Sequence, residues 1–212
     1  MTTTPRASTR RPFAGRLLAL GLVAVFAGPI GVAWWLNLHP PTSYSEIEIT
    51  GKGSRIIRGA PILSEDGLTP LEGEPPASGY FQGKWTLLMV NETLACTLAC
   101  TNALLMTRQV RHALGREMGR LHRVLVQTQA LDERSRRRMR AYVQSAGGVI
   151  AVMAPPAWSG HLVKVLHDGD RLGGSVFVLD PLGQLVLYYR VEDEPKGLMK
   201  DMKRLLRLSK IG

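Results

Sequence analysis

The sequence predicts an α/β domain, a central sheet with flanking helices, preceded by one transmembrane helix. Three observations predict it. Short continuous apolar runs alternate with longer segments whose apolar residues recur at helical spacing. Two of the runs are separated by Asp180-Pro181-Leu182-Gly183, with proline and glycine where a tight turn uses them. Leu17 to Leu36 contains no charged residue, and twenty residues of helix span about 30 Å, the thickness of a bilayer's hydrocarbon core. The chain has 212 residues, 45% hydrophobic and 21% charged, a composition that excludes the disordered and collagen-like classes.

Taken in order, residues 1–16 read as a basic cytoplasmic tail and 17–38 as the membrane anchor. Residues 39–61 read as a linker: His39-Pro40-Pro41 is stiff, and Tyr44–Thr50 with Ser54–Arg58 read as a small hairpin about Gly51-Lys52-Gly53 or as an edge extension of the sheet. The folded domain is 62–212, and its first part, Leu63–Gly79, is Pro-, Gly- and Glu-rich loop. Trp85–Val90 is uniformly apolar apart from Thr86, as suits a strand buried on both faces. Ala103, Leu104, Met106, Val110 and Leu114 define a helix over Thr101–Leu114, with Gly115 as its stop. Leu121–Gln127 is a second strand; Asp132 caps a helix to about Ser145, stopped by Gly147-Gly148; Val149–Met153 is a third strand. Trp158–Leu166 is a short helix, Ser175–Leu179 and Gln184–Tyr189 form a hairpin, and Lys196–Leu208 closes the chain as an amphipathic helix. Parallel crossovers followed by a hairpin and a covering helix are the layout of the thioredoxin-like fold.

The net charge is +10, which on one exposed face would point to nucleic acid. It is instead concentrated in three blocks: Arg6, Arg10, Arg11 and Arg16; the ten Arg from Arg108 to Arg140; and the six Lys and Arg from Lys196 onward. The first lies beside the apolar span, and no basic residue follows that span until Lys52. The positive-inside rule then keeps the tail in the cytoplasm and exports the rest, giving a single-pass inner-membrane protein with a periplasmic domain and no nucleic-acid partner. The competing reading of 17–38 is a cleaved signal peptide, against which stand its length and the lack of an A-x-A site. The exported basic blocks read as solvated helix faces attracted to anionic headgroups, or as a dock for an acidic partner.

The chain has two cysteines, Cys96 and Cys100, too few for a disulfide framework, so they matter as one site or as unrelated buried thiols. They fall between the first strand and its helix, where the helix N-terminus lowers thiol pKa and makes thiolate available for exchange or for a soft metal. On a helix, i and i+4 share a face with Cβ atoms about 5–6 Å apart, so a disulfide requires a distorted first turn. The pair is therefore expected either to clasp a metal or to switch oxidation state.

Gly83-Lys84-Trp85-Thr86-Leu87-Leu88-Met89-Val90 followed by C-x-x-x-C, with Val176–Gly183 (VFVLDPLG) further on, resembles the SCO/SenC-type thioredoxin-like proteins of cytochrome c oxidase assembly. The resemblance runs from about Phe81 to the C-terminus. Met106-x-x-Gln109-Val110-Arg111 and the ending from Met202 are similar to a small membrane-anchored variant found with oxidase genes in proteobacteria. The resemblance implies a periplasmic domain that serves copper insertion, or thiol reduction, at the oxidase copper site, with an oxidase subunit or another assembly factor as partner. It also implies a histidine ligand about nine residues before the proline of the D-P-x-G turn. That position here is Leu172, and Arg171–Gly174 holds no proline in the place of a thioredoxin cis-proline either. Two thiolates suffice for Cu(I) and are poorer for Cu(II). His167 is the nearest candidate for a third ligand, while His112, His122 and His161 read as surface or packed residues and the eight Met as core. Three functions remain open: an oxidase-assembly factor offering its thiols to copper or to the oxidase, a thiol:disulfide oxidoreductase with Cys96 attacking and Cys100 resolving, and a scaffold that only docks.

Overall fold

The computed structural model describes residues 62–209 apart from 75, 77 and 78, together with Arg55, Ile56 and residues 22, 25–32 and 34–35. The chain divides into two compact units, Met1–Tyr44 and Ser45–Gly212. In the first, residues 25–32 and 34–35 are helical, with Val25, Phe26, Ile30 and Trp34 exposed. Among the described residues no helix is long and apolar enough to cross a membrane; much of the expected span 17–38 lies outside them.

The second unit is built on a seven-stranded mixed sheet. Its elements in chain order are β1 (Arg55–Ile56), β2 (Thr69–Pro70), β3 (Trp85–Asn91), α1 (Leu98–Ala113), β4 (Leu121–Gln127), α2 (Glu133–Ala146), β5 (Ile150–Met153), α3 (Gly160–Val163), β6 (Ser175–Leu179), β7 (Leu185–Arg190) and α4 (Pro195–Leu208). The strand order is β1-β7-β6-β3-β4-β5-β2. β3, β4 and β5 run parallel, joined by α1 and α2, while β6 and β7 form the antiparallel hairpin beside β3. Both edges carry two-residue strands, one of them within the stretch 63–79 expected to be loop. Arg55–Ile56 pairs antiparallel with β7, and the Tyr44–Thr50 arm lies outside the described residues. Thr69–Pro70 lies antiparallel to β5, with Pro70 at an edge, the sheet position that tolerates a residue without an N–H.

Every residue of β3 is buried, as its unbroken apolar run requires. Period-two alternation divides its side chains between two cores. Trp85, Leu87 and Met89 face α1, α2 and α4; Leu88 and Val90 join Phe81, Leu162, Phe177 and Tyr188 on the other side, beneath the 62–81 segment and α3. That segment is held by the Glu65 carboxylate, which accepts the backbone N–H groups of Tyr80 (3.0 Å) and Phe81 (2.8 Å). The turn needs Gly79: its φ is +82°, and a Cβ there would collide with Glu65. Gly183, at φ +80°, serves the β6–β7 turn, where Asp180 Oδ1 accepts from the N–H groups of Leu182 and Gln184.

The helices follow their sequence signals with shifted ends. Asp132 caps α2 by accepting from Ser135 N at 2.8 Å, and these hydrogen bonds hold its carboxyl below the usual carboxylate range. α1 ends at Ala113 with Leu114 as its C-cap, after which Gly115 turns at φ +56° into a 3-10 turn over Gly115–Arg120. The short helix after β5 is a 3-10 turn (Pro156–Ser159) running into α3.

β4 carries one residue its pattern did not announce. Arg123 is 1% exposed and has no carboxylate partner among the described residues. Its guanidinium donates to Thr107 Oγ1 (3.1 Å) and to the carbonyls of Leu104 (2.6 Å), Gly147 (2.7 Å) and Ala146 (3.3 Å). The last two end α2, where helix carbonyls lack intrahelical donors. Burial, reinforced by Arg111 and Arg108, lowers the Arg123 pKa to about 10.

Candidate functional site

The cysteines lie at the C-terminal end of β3. α1 begins at Leu98, three residues before the expected Thr101, and its N-cap is Thr97, whose hydroxyl accepts from Cys100 N at 3.4 Å. Cys96 therefore precedes the cap, and only Cys100 is helical. This corrects the expectation that both side chains share a helical face. With Cys96 outside the helix the Cα atoms are 5.2 Å apart and the two sulfurs form a disulfide, so bridging asks no distortion of the first turn. Cys96 is 9% exposed and Cys100 3%.

The positive end of α1 lies beside the sulfurs. The first turn of α1 contains no acidic residue, so its free N–H groups and positive end act on the sulfurs unopposed. Thr101 Oγ1 lies 3.8 Å from Cys96 Sγ and donates to Thr97 O at 3.0 Å.

A pair of buried amides holds the segment that carries Cys96. Asn91 and Gln127, 3% and 1% exposed, are register partners at the ends of β3 and β4. Asn91 Nδ2 donates to Gln127 Oε1 (2.7 Å) and to Thr93 O (2.7 Å). Gln127 Nε2 donates to Thr93 O and Gln129 O, both at 3.0 Å. Thr93 Oγ1 in turn donates to Ala95 O at 2.7 Å. The residue before Cys96 is thereby tied to two strands by uncharged groups that leave the local field to the helix. Sequence reasoning missed this pair; the available signal was a polar residue closing each of two neighbouring apolar runs.

Beside the cysteine segment opens a cleft of about 550 Å³. One wall is Asn91, Glu92, Thr93, Thr97 and Ala99; the other is Gly169–Arg171, Gly173, Gly174, Arg190 and Glu192. Leu172 lies inside the second segment, 4% exposed in the core beneath the sheet. The place where the resemblance implies a histidine is thus filled by packed hydrocarbon.

His167 is hydrogen-bonded to Tyr188 through its backbone N–H and its Nδ1. The Tyr188 hydroxyl donates to Asp170 Oδ2 (2.8 Å) and accepts from His167 N (2.9 Å), with His167 Nδ1 at 2.7 Å. The phenol's one proton goes to Asp170, so the imidazole donates from Nδ1. Among the described residues no three His, Cys, Asp or Glu side chains come together to hold a metal. When reduced, the two cysteine sulfurs fit Cu(I); the residues present do not make a two-thiolate, one-imidazole site.

Comparisons with known proteins agree with this fold. A protein of Aquifex aeolicus VF5, provisionally named an electron transfer protein, is 19% identical over 71% of this chain and 95% of its own, with a TM-score of 0.51. A Bacteroides thetaiotaomicron protein, provisionally named a protein disulfide isomerase, is 15% identical over 73% of this chain and 93% of its own, with a TM-score of 0.51. Copper-bound ScoI of Bradyrhizobium japonicum is 18% identical over 58% of this chain and 86% of its own, with a TM-score of 0.44. No curated protein matches the chain. The family described as transmembrane-like, thioredoxin-like, C-terminal domain matches residues 85–209; those residues are more than half of the chain and include both cysteines, the amide pair and the cleft, and the chain belongs to that family.

Proposed function

We propose that the protein is a membrane-anchored thiol:disulfide exchange factor of the periplasm, anchored by 17–38, whose client is a cysteine-containing copper site such as that of cytochrome c oxidase. The observation that carries this reading is the Cys96–Cys100 bond across the N-terminus of α1, beside a cleft large enough for a peptide segment. In the reducing direction the Cys96 thiolate attacks a client disulfide, forming a mixed disulfide and releasing one client thiolate. The Cys100 thiolate then attacks Cys96 Sγ, closing the internal bond and releasing the second client thiolate. Two electrons pass to the client, and a separate dithiol donor resets the protein. Cys96 takes the first step because it lies outside the helix and is the more exposed of the two.

The second reading is carriage of Cu(I) as cargo, favoured by a donor set of two soft sulfurs that, among the described residues, no further His, Cys, Asp or Glu joins. One experiment separates the two. The Cys100→Ser chain is incubated with a disulfide-bonded peptide of the client's copper site, and the reduced wild-type chain is titrated with Cu(I) in parallel. Exchange predicts a trapped mixed disulfide; carriage predicts about one Cu(I) bound through Cys96 and Cys100, with no trapped species. Neither result leaves the docking scaffold, which would also tolerate loss of both cysteines in cells.

A further inference from the structure

Two of the sequence's basic blocks, about sixty residues apart, fold into one surface. α1, α2 and α4 cover the same side of the sheet and share one core. Together with the 3-10 turn after α1 and the cap of α2 they carry fourteen Arg and Lys against Glu117, Asp132, Glu133 and Asp201. Each of those acids is engaged locally. Glu117 pairs with Arg120 (2.8 Å), Asp132 caps Ser135 N, Glu133 pairs with Arg137 (3.1 Å), and buried Asp201 accepts from Tyr189 (2.5 Å). Arg108, Arg134, Arg138, Lys200 and Lys203 are exposed. Among them stand Leu105 and Tyr142, 50% and 44% exposed. The opposite side of the sheet is covered partly by 62–70, which holds Glu65 and Asp66 and no Lys or Arg, whereas Glu72, which accepts from Gln144 Nε2 (3.2 Å), and Glu74 border α2. The α1–α2–α4 face is therefore strongly basic, with Glu72 and Glu74 at its α2 border.

We propose that the α1–α2–α4 face rests on the anionic surface of the bilayer. The inference rests on the reading of 17–38 as an anchor, which would keep the domain beside a membrane. Many Arg and Lys with few free acids match a sheet of phosphate headgroups. Leu105 and the amphipathic ring of Tyr142 suit the interface between headgroup and acyl chain. An acidic protein would fit the charge but is not called for by apolar residues scattered singly among cations.

The test uses the full chain in nanodiscs of phosphatidylcholine alone or enriched in phosphatidylglycerol. Lysines are acylated with a water-soluble ester and followed by peptide mass spectrometry, with exposed Lys164 at the end of α3, on the other side of the sheet, as internal reference. In phosphatidylglycerol, Lys200 and Lys203 should react about fivefold or more slowly relative to Lys164, and high salt should abolish the difference. The triple variant Arg134→Gln, Arg137→Gln, Arg138→Gln should weaken the protection. Equal relative rates in both lipids overturn the proposal, as does protection that arises only when an acidic protein is added. A chain washed from the discs by high salt refutes the anchor alone; free chain added to phosphatidylglycerol vesicles then decides the face by the same ratio.

Discussion

Two segments face each other across the cleft and are held in place by different chemistry. The 91–99 side is fixed by neutral amides and a helix cap, Asn91, Gln127 and Thr97, around a pair of sulfurs. The 169–174 side is fixed by a buried leucine below and by charge above, where Asp170 accepts a hydrogen bond from the Tyr188 hydroxyl and Arg190 lies between Asp170 (3.9 Å) and Asp193 (3.1 Å). Hydrogen bonding to Asp193 raises the Arg190 pKa. The difference separates two tasks. A segment whose sulfurs must change charge during exchange is held by groups that do not titrate; a segment that shapes the wall can be held by ions.

That division can be broken or sharpened by substitution. The largest effect is expected at the sulfurs: Cys96→Ser abolishes covalent capture of a client, and Cys100→Ser accumulates the mixed disulfide, read on a non-reducing gel. Leu172→Ala should lower stability by about 2–5 kcal/mol in denaturant unfolding while leaving the reduction potential within error of wild type. A large change in potential there would mean that the second wall also tunes the chemistry. Gln127→Ala should cost less, about 1–3 kcal/mol for the buried partner it orphans. It should, however, raise the reduction potential by loosening the segment that presents Cys96, about 30 mV for each 1.4 kcal/mol by which the disulfide is disfavoured. Tyr188→Phe should cost about 1 kcal/mol and leave exchange with a small disulfide unchanged. The smallest effect belongs to neither segment. His122 is the second residue of β4, at the far end of the strands, and burial, with Lys84 and Arg111, lowers its pKa. The fold therefore favours the neutral ring, and the stability this contributes is lost as pH falls below about 6.5 toward the folded value. His122→Gln should flatten the plot of unfolding midpoint against pH in that window.

The parts of this arrangement that were legible in the sequence are those fixed by local pattern. The apolar run of β3, the cap at Asp132, the turn at Asp180–Gly183 and the cysteine pair all announce themselves within a few residues. The start of α1 was misplaced because Thr97 is followed by Leu98, Ala99 and Cys100, with no Glu or Gln at Cys100's position to complete a capping box. The amide pair was invisible because Asn91 and Gln127 are thirty-six residues apart and meet only through the register of β3 and β4. Arg123 ran against the pattern outright: a cation inside an apolar strand is tolerable only when distant carbonyls converge on it, and no spacing rule predicts that convergence.

The Arg123 brace also bears on the order in which the chain can assemble. Its acceptors come from the middle of α1 and from the end of α2, so β4 cannot dock with its guanidinium satisfied until both helices are in place. A buried cation lacking even one of these carbonyls is costly, which disfavours any intermediate that has the strand without the helices or one helix without the other. The β3–α1–β4–α2 half should consequently open and close as a single cooperative unit. Arg123→Met removes the charge that enforces this, and its expected mark is kinetic: amides of α1 and α2 that exchange with deuterium at a common rate in the wild type should exchange at two separate rates in the variant.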